Sequence, residues 1–150
     1  MIHLEIDKRY RKPRLASLLT RTVEAALGDQ KASPKSEITL KLTGDKQLQE
    51  LNKRFLGEDR TTDVLSFPAG AQGAYLGDIA ISLPQAQAQA KAGKHALEQE
   101  LQLLAVHGVL HLLGHDHDTA KGKADMWAAQ GRILAKLGVN IDISASEQSH

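Results

Sequence analysis

Apolar positions along this chain repeat with two periods, and the switches between them mark its elements. In "IHLEI" the residues Ile2, Leu4 and Ile6 alternate with polar ones, the pattern of a half-buried strand. From Pro13 the spacing becomes that of an amphipathic helix, which runs to about Leu27 and meets a stop at Gly28-Asp29. "EITLKLT" returns to alternation, with Ile38, Leu40 and Leu42 on one face. "DKQLQELNKRF" is helical again, its Leu48, Leu51 and Phe55 spaced three and four apart. "DVLSFP" and "LGDIAIS" read as short strands of a hairpin around Gly70 and Gly73. The alanine-rich "LPQAQAQAKAG" is a helix ending at Gly93. A longer helix follows from Leu97 to Leu113, and a last one from Thr119 to Leu137, closed by Gly138. Strands and helices mix without the strict alternation of a doubly wound fold. The expected class is α+β, a small mixed sheet of about four strands with about five helices packed on it. Residues 1–139 read as a single domain and 140–150 as a polar, frayed C-terminal tail.

Composition narrows the chemistry more than the fold. A chain of 150 residues with 41% hydrophobic and 25% charged positions is an ordinary globular domain. It has no cysteine, which excludes disulfide-linked partners, thiolate nucleophiles and cysteine zinc sites, and which suits a reducing cytoplasm. No apolar run reaches signal-peptide or membrane-span length, so no membrane association is expected. The net charge of +1 gives no overall basic field. A nucleic-acid partner must therefore rest on local patches, and one stands at Lys8, Arg9, Arg11, Lys12 and Arg14. Taken alone, that cluster reads equally as a solvated strand-to-helix connection. With one tryptophan, two tyrosines and two phenylalanines, the chain does not signal extensive base stacking.

The concentrated chemistry is "HGVLHLLGHDH", residues 107–117, which holds four of the seven histidines. From Leu101 to Leu113 the helix is apolar nearly all round, the mark of a buried central helix. His107 and His111 lie four apart and share one face of it. A buried imidazole without a partner costs roughly 1–3 kcal/mol. Either a shared metal ion or two separate hydrogen bonds would satisfy the pair. A continuous helix would add His115 to the row, but Gly114 is the usual residue of a left-handed helix ending. Beyond that turn His117 is better placed to swing back. Three imidazoles at 107, 111 and 117 leave a tetrahedral zinc one open position, the layout of a catalytic site. The spacing is also that of the metzincin proteases, which carry their glutamate base directly after the first histidine. Here that position is Gly108, which argues against a metalloprotease. A mid-helix glycine costs about 1 kcal/mol relative to alanine, so it is expected to make room for a substrate or a neighbouring backbone.

"HGVLHLLGHDH", together with "TTDVLSFP" at 61–68, "LGDIAIS" at 76–82 and the run-in at 100–108, resembles the YbeY family. Its members are bacterial single-strand-specific endoribonucleases of rRNA maturation. The motifs agree in order and spacing over about residues 45–137. The resemblance implies one zinc per chain, held by His107, His111 and His117. It also implies rRNA and the small ribosomal subunit as partners, with processing of the 16S rRNA 3′ end and ribosome quality control as the role. A ribosome-assembly or RNA-binding factor with a mainly structural metal is the alternative.

This chain departs from the family in one stretch. Ahead of T-D-V-L-S-F the family carries Asn-x-x-aromatic-Arg-Gly, whose arginine acts on the RNA phosphate. In "NKRFLGEDR" Asn52, Phe55 and Gly57 match, but Leu56 takes the arginine position. Arg60, in an expected loop, is the first candidate to replace it as a nucleic-acid-binding residue, and Arg54 the second. The catalytic base and nucleophile are not assigned by the sequence. Asp63 and Asp78, at strand edges, can each accept a hydrogen bond from a ligand imidazole, though turn or cap roles are simpler. Asp116 stands where it can orient His115, and Asp118-Thr119 reads as the last helix's N-cap. Met126, Trp127, Ile133 and Leu134 read as core.

Overall fold

A computed structural model describes residues 1–58, 62–70 and 73–141. Strands β1 (Ile2–Ile6), β2 (Glu37–Thr43), β3 (Val64–Pro68) and β4 (Tyr75–Ser82) form one sheet in the order β1-β2-β4-β3. β1 and β2 run parallel, as do β2 and β4, while β3 returns antiparallel to β4 as the expected hairpin. Helices α1 (Pro13–Asp29), α2 (Asp45–Leu56), α3 (Leu83–Gly93), α4 (Leu97–Leu112) and α5 (Ala120–Lys136) pack around it. The fold is the expected α+β, with β3 as an open edge.

Alternation in the strands divides the helices between the two faces of the sheet. Ile38, Leu40 and Leu42 of β2, with Ile79 and Ile81 of β4, join the main core with α1, α4 and α5. The opposite face carries a smaller cluster of Leu48, Leu65 and Ala80, with Leu51 and Phe67 packed against it under α2. α4 is central, since every residue from Glu100 to Leu110 is buried. It touches α1, α3, α5, β3 and β4. The acid in this run, Glu100, is fully buried and is paired by His95 Nε2 at 2.7 Å.

Three expectations are corrected. α1 runs through Gly28 and Asp29 and ends at Gln30, and the left-handed residue is Lys31 (φ 55°), so Gly28 is no stop. Phe55, at the apolar spacing of α2, is 60% exposed, touching Phe67 of β3 but standing outside the cluster around Leu48. Trp127 is 36% exposed, because Met126, Ala129 and Ile133 take the inward face of α5. Leu56 is also exposed, in the last turn of α2 before left-handed Gly57 (φ 72°). Part of the expected tail, residues 142–150, lies outside the described residues.

Candidate functional site

The C-terminal end of α4 and the turn after it gather three of the four clustered histidines. His107, 4% exposed, projects from the helix one turn before His111. Their Nε2 atoms lie 3.0 Å apart and their ring centroids 4.5 Å apart. Helix α4 then ends as the glycine predicts. Gly114 adopts φ 97°, its N–H donates to His111 O at 3.1 Å, and the His115 N–H donates to Leu110 O at 3.0 Å. That paired bonding is the Schellman ending, and it reverses the chain. His117 comes back from the exposed turn, with its ring centroid 5.4 Å from His111 and 6.3 Å from His107. Thr119 caps α5, its Oγ accepting from Gly122 N–H at 2.9 Å.

His115 goes elsewhere. Its Nε2–H donates to Gln30 Oε1 at 2.7 Å, and Gln30 in turn donates to Asp29 Oδ2 at 3.0 Å. Asp29 is held by a two-pronged bond from Arg132, with Nε and Nη2 each at 2.8 Å. The Arg132 guanidinium holds the Asp29 carboxyl well below the usual carboxylate range. His115 thus belongs to a polar chain joining the ends of α1 and α5.

Gln130, absent from the sequence reading, is the residue that orients His107. It is fully buried on α5, and its Oε1 accepts from His107 Nδ1–H at 3.1 Å. That bond fixes the proton on Nδ1 and turns the bare Nε2 toward His111. The signal was its place on the inward face of α5, four after Met126 and three before Ile133. Neither aspartate weighed for this role takes it. Asp63 is buried and anchors β3 to α3, accepting from Val64 N–H at 2.8 Å and Gln89 Nε2 at 3.0 Å. Asp78 accepts from Tyr75 OH, and burial together with that bond pushes the Tyr75 phenol above its ordinary value. The Asp116 carboxylate accepts from Asp118 N–H at 3.1 Å rather than from His115.

Gly108 makes room for neither a substrate nor a backbone. A Cβ there would stand 2.7 Å from Cγ2 of Ile79, a fully buried residue of β4. The glycine lets α4 lie close on the sheet, and Ser66 Oγ donates to its carbonyl at 3.3 Å from β3.

Among the described residues no three His, Cys, Asp or Glu side chains meet in an arrangement that could hold a metal ion. The donor chemistry still fits one. Nitrogens bound to one tetrahedral zinc at about 2.0–2.1 Å lie about 3.3 Å apart, close to the His107–His111 spacing.

Apart from the histidines, a groove of about 1180 Å³ runs between the connection after β1 and helix α2. Arg11, Lys41, Lys53 and Arg54 line it together with Glu5, Asp7 and Glu50. Arg54 thus faces a groove that none of the three gathered histidines lines. Arg60 lies outside the described residues.

Comparison with known proteins decides the family. A family model described as "Endoribonuclease YbeY" matches residues 2–138. The chain belongs to the YbeY family. An Endoribonuclease YbeY of Moorella thermoacetica is 46% identical over 137 residues, covering 83% of this chain and 88% of its own length. One from Thermus thermophilus is 41% identical over 137 residues, covering 88% and 99%. The solution structure of TM1509 from Thermotoga maritima shares the fold with a TM-score of 0.66 at 26% identity, covering 91% of each chain. In this YbeY-family chain the histidine turn and the β3–β4 hairpin both fall inside the matched span. No helix among the described residues is long and apolar enough to cross a membrane.

Proposed function

We propose that this chain is a zinc-dependent endoribonuclease that cuts single-stranded RNA in rRNA maturation, with His107, His111 and His117 as ligands of one zinc per chain. The observation that carries this reading is the convergence of the His107 and His111 Nε2 atoms, 3.0 Å apart, at the end of a buried helix. The relatives' name, endoribonuclease, supports the reaction class. Work on rRNA of the small ribosomal subunit, at the 16S 3′ end and in ribosome quality control, is the accompanying role. The cytoplasm is its place, which a cysteine-free sequence suits.

Bound zinc would supply Lewis-acid activation of the scissile phosphate and of a water. The protein's part is preparation. Gln130 holds His107 in the tautomer whose Nε2 is bare, and the Schellman turn brings His117 back to the pair. The Gln30 bond keeps His115 out of the set. Gly108 leaves no carboxylate after the first histidine, so the chain lacks the base a peptidase of this spacing uses. Leu56 in the family's arginine position favours the second reading, an RNA-binding assembly factor with a structural metal.

Elemental analysis paired with cleavage assays on structured and single-stranded RNA separates the two, using wild type and His111→Ala. Zinc near one per chain with chelator-sensitive cleavage of single strands supports the nuclease. Retained metal with RNA binding but no cleavage supports the assembly factor. Chelator-sensitive cleavage of a peptide would overturn both.

A further inference from the structure

Phe55 is exposed but not loose. Its ring centroid lies 5.4 Å from that of Phe67, with the planes tilted by 59°. Phe67 is braced in turn by the small cluster of Leu48, Leu65 and Ala80. A tilted pair of this kind meets edge to face and leaves a broad ring surface open. The Arg54 guanidinium carbon lies over the Phe55 ring, 6.0 Å from its centroid, so a cation stands above one of its faces. An arginine in the last turn of α2 also suits the helix dipole, but that role needs no ring beneath it.

We propose that the open face of Phe55 stacks one unpaired nucleobase of the RNA, with an adjoining phosphate on Arg54. This inference rests on the ribonuclease reading and assigns one nucleotide subsite to it. A flat π face beside a cation is the pairing that single-strand binders use, and it tolerates any base. The subsite is tied to the histidines through β3. Phe67 faces α2, while its neighbour Ser66 bonds the carbonyl of Gly108, which lies between His107 and His111 on α4. Phe55 and the imidazoles thus lie on opposite faces of the sheet beside the same edge strand, and an RNA strand that meets both rounds the β3 edge. Arg54 also lines the groove of mixed charge, where Arg11, Lys41 and Lys53 stand among Glu5, Asp7 and Glu50. A duplex has no free base face to offer Phe55, so the subsite selects single strands.

The test uses the full chain and a fluorescein-labelled 2′-O-methyl oligouridylate, checked to be intact after each titration, read by anisotropy beside cleavage kinetics on the unmodified RNA. Phe55→Leu keeps an apolar side chain but removes the π face. It is expected to weaken binding roughly ten-fold at an unchanged melting temperature. Phe55→Tyr is expected to bind as wild type. In cleavage Phe55→Leu raises KM more than it lowers kcat, because the contact binds the ground state as well as the transition state. Arg54→Ala lowers the salt slope of binding by about 0.7. Wild-type affinity in Phe55→Leu overturns the proposal, as does equal weakening of the Leu and Tyr variants. A changed oligomeric state in Phe55→Leu with unchanged RNA affinity makes the face a protein contact and also overturns it. So does a Phe55→Leu chain that does not fold, since the ring would then be structural. If wild type neither binds nor cuts single-stranded RNA, the ribonuclease reading itself has failed, and this subsite with it.

Discussion

His115 Nε2 lies 2.7 Å from Oε1 of Gln30, so its ring is engaged with the end of α1 while His107, His111 and His117 gather elsewhere. His115→Ala is therefore expected to leave zinc content unchanged and to loosen the contact between the ends of α1 and α5. His107→Ala, His111→Ala and His117→Ala should each lower zinc retention after dialysis against a chelator. Equal loss from His115→Ala, with none from His117→Ala, would reverse the choice of third ligand.

Gln130 acts on His107 from the far side of the ring. Gln130→Leu keeps the volume but leaves the buried Nδ1–H without its acceptor, a loss of about 1–3 kcal/mol of stability. Losing the partner that fixes the tautomer should also weaken zinc affinity about 10–100-fold. Chelator competition measures the second effect and thermal melting the first. Reduced stability with unchanged zinc affinity would make Gln130 a structural residue only.

Gly108 sits against a neighbour that cannot give way. A Cβ would stand 2.7 Å from Cγ2 of Ile79, whose branched side chain is stiff and buried. Alanine gains about 1 kcal/mol of helix propensity, but overpacking a core costs about 1–3 kcal/mol. Gly108→Ala should thus be destabilising in denaturant titrations. Adding Ile79→Ala should cost less in the Gly108→Ala background than in wild type. Gly108→Glu should fold poorly and gain no peptidase activity. A stable Gly108→Glu would show that α4 does not need its close approach to β4.

Asp29 sets an acid limit on the same end of the molecule. Its side chain is 2% exposed, and the bonds from Arg132 hold its folded pKa below the ordinary 3.8. A group whose folded pKa is lowered stabilises the fold fully above its unfolded value. That contribution is lost as pH falls through the carboxylate range toward the folded value. Between pH 7 and pH 3 wild type should therefore lose more melting temperature than Arg132→Ala, which has less to lose and starts a few degrees lower. Parallel melting curves across that range would remove Asp29 from the acid response.

Much of this architecture was legible because burial follows period. The alternation in "IHLEI" and "EITLKLT" and the all-round apolarity of α4 each named a strand or helix and its environment. What failed was context that period does not carry. Phe55 has the spacing of a core residue, but it stands in the last turn of α2 and remains 60% exposed although its ring meets Phe67. Trp127 follows Met126 by one residue, which turns it about 100° away from the face that α5 buries. Gln130 was overlooked as a polar residue, although its spacing from Met126 and Ile133 places it inside. At Gly108 the sequence announced a close approach but not that Ile79, on another element, is what approaches.

Leu56 is where the chain leaves the family pattern, and its surroundings make the departure testable. The side chain is 53% exposed in the last turn of α2, so it stands outside the core that buries Leu48. A surface substitution there should change stability by no more than about 0.5 kcal/mol. Leu56→Arg is therefore expected to melt as wild type does and to raise RNA turnover by restoring the cation the family places there. If Arg60 makes the phosphate contact in its stead, Arg60→Ala should weaken RNA binding and lower the salt slope by about 0.7. Leu56→Arg added to Arg60→Ala should then restore that slope. Melting curves, salt titrations of RNA binding and cleavage rates on the two single variants and the double variant decide it. A silent Arg60→Ala with an active Leu56→Arg would mean that the arginine function was lost here and not relocated. A Leu56→Arg that melts several degrees lower without faster cleavage would return Leu56 to a packing role.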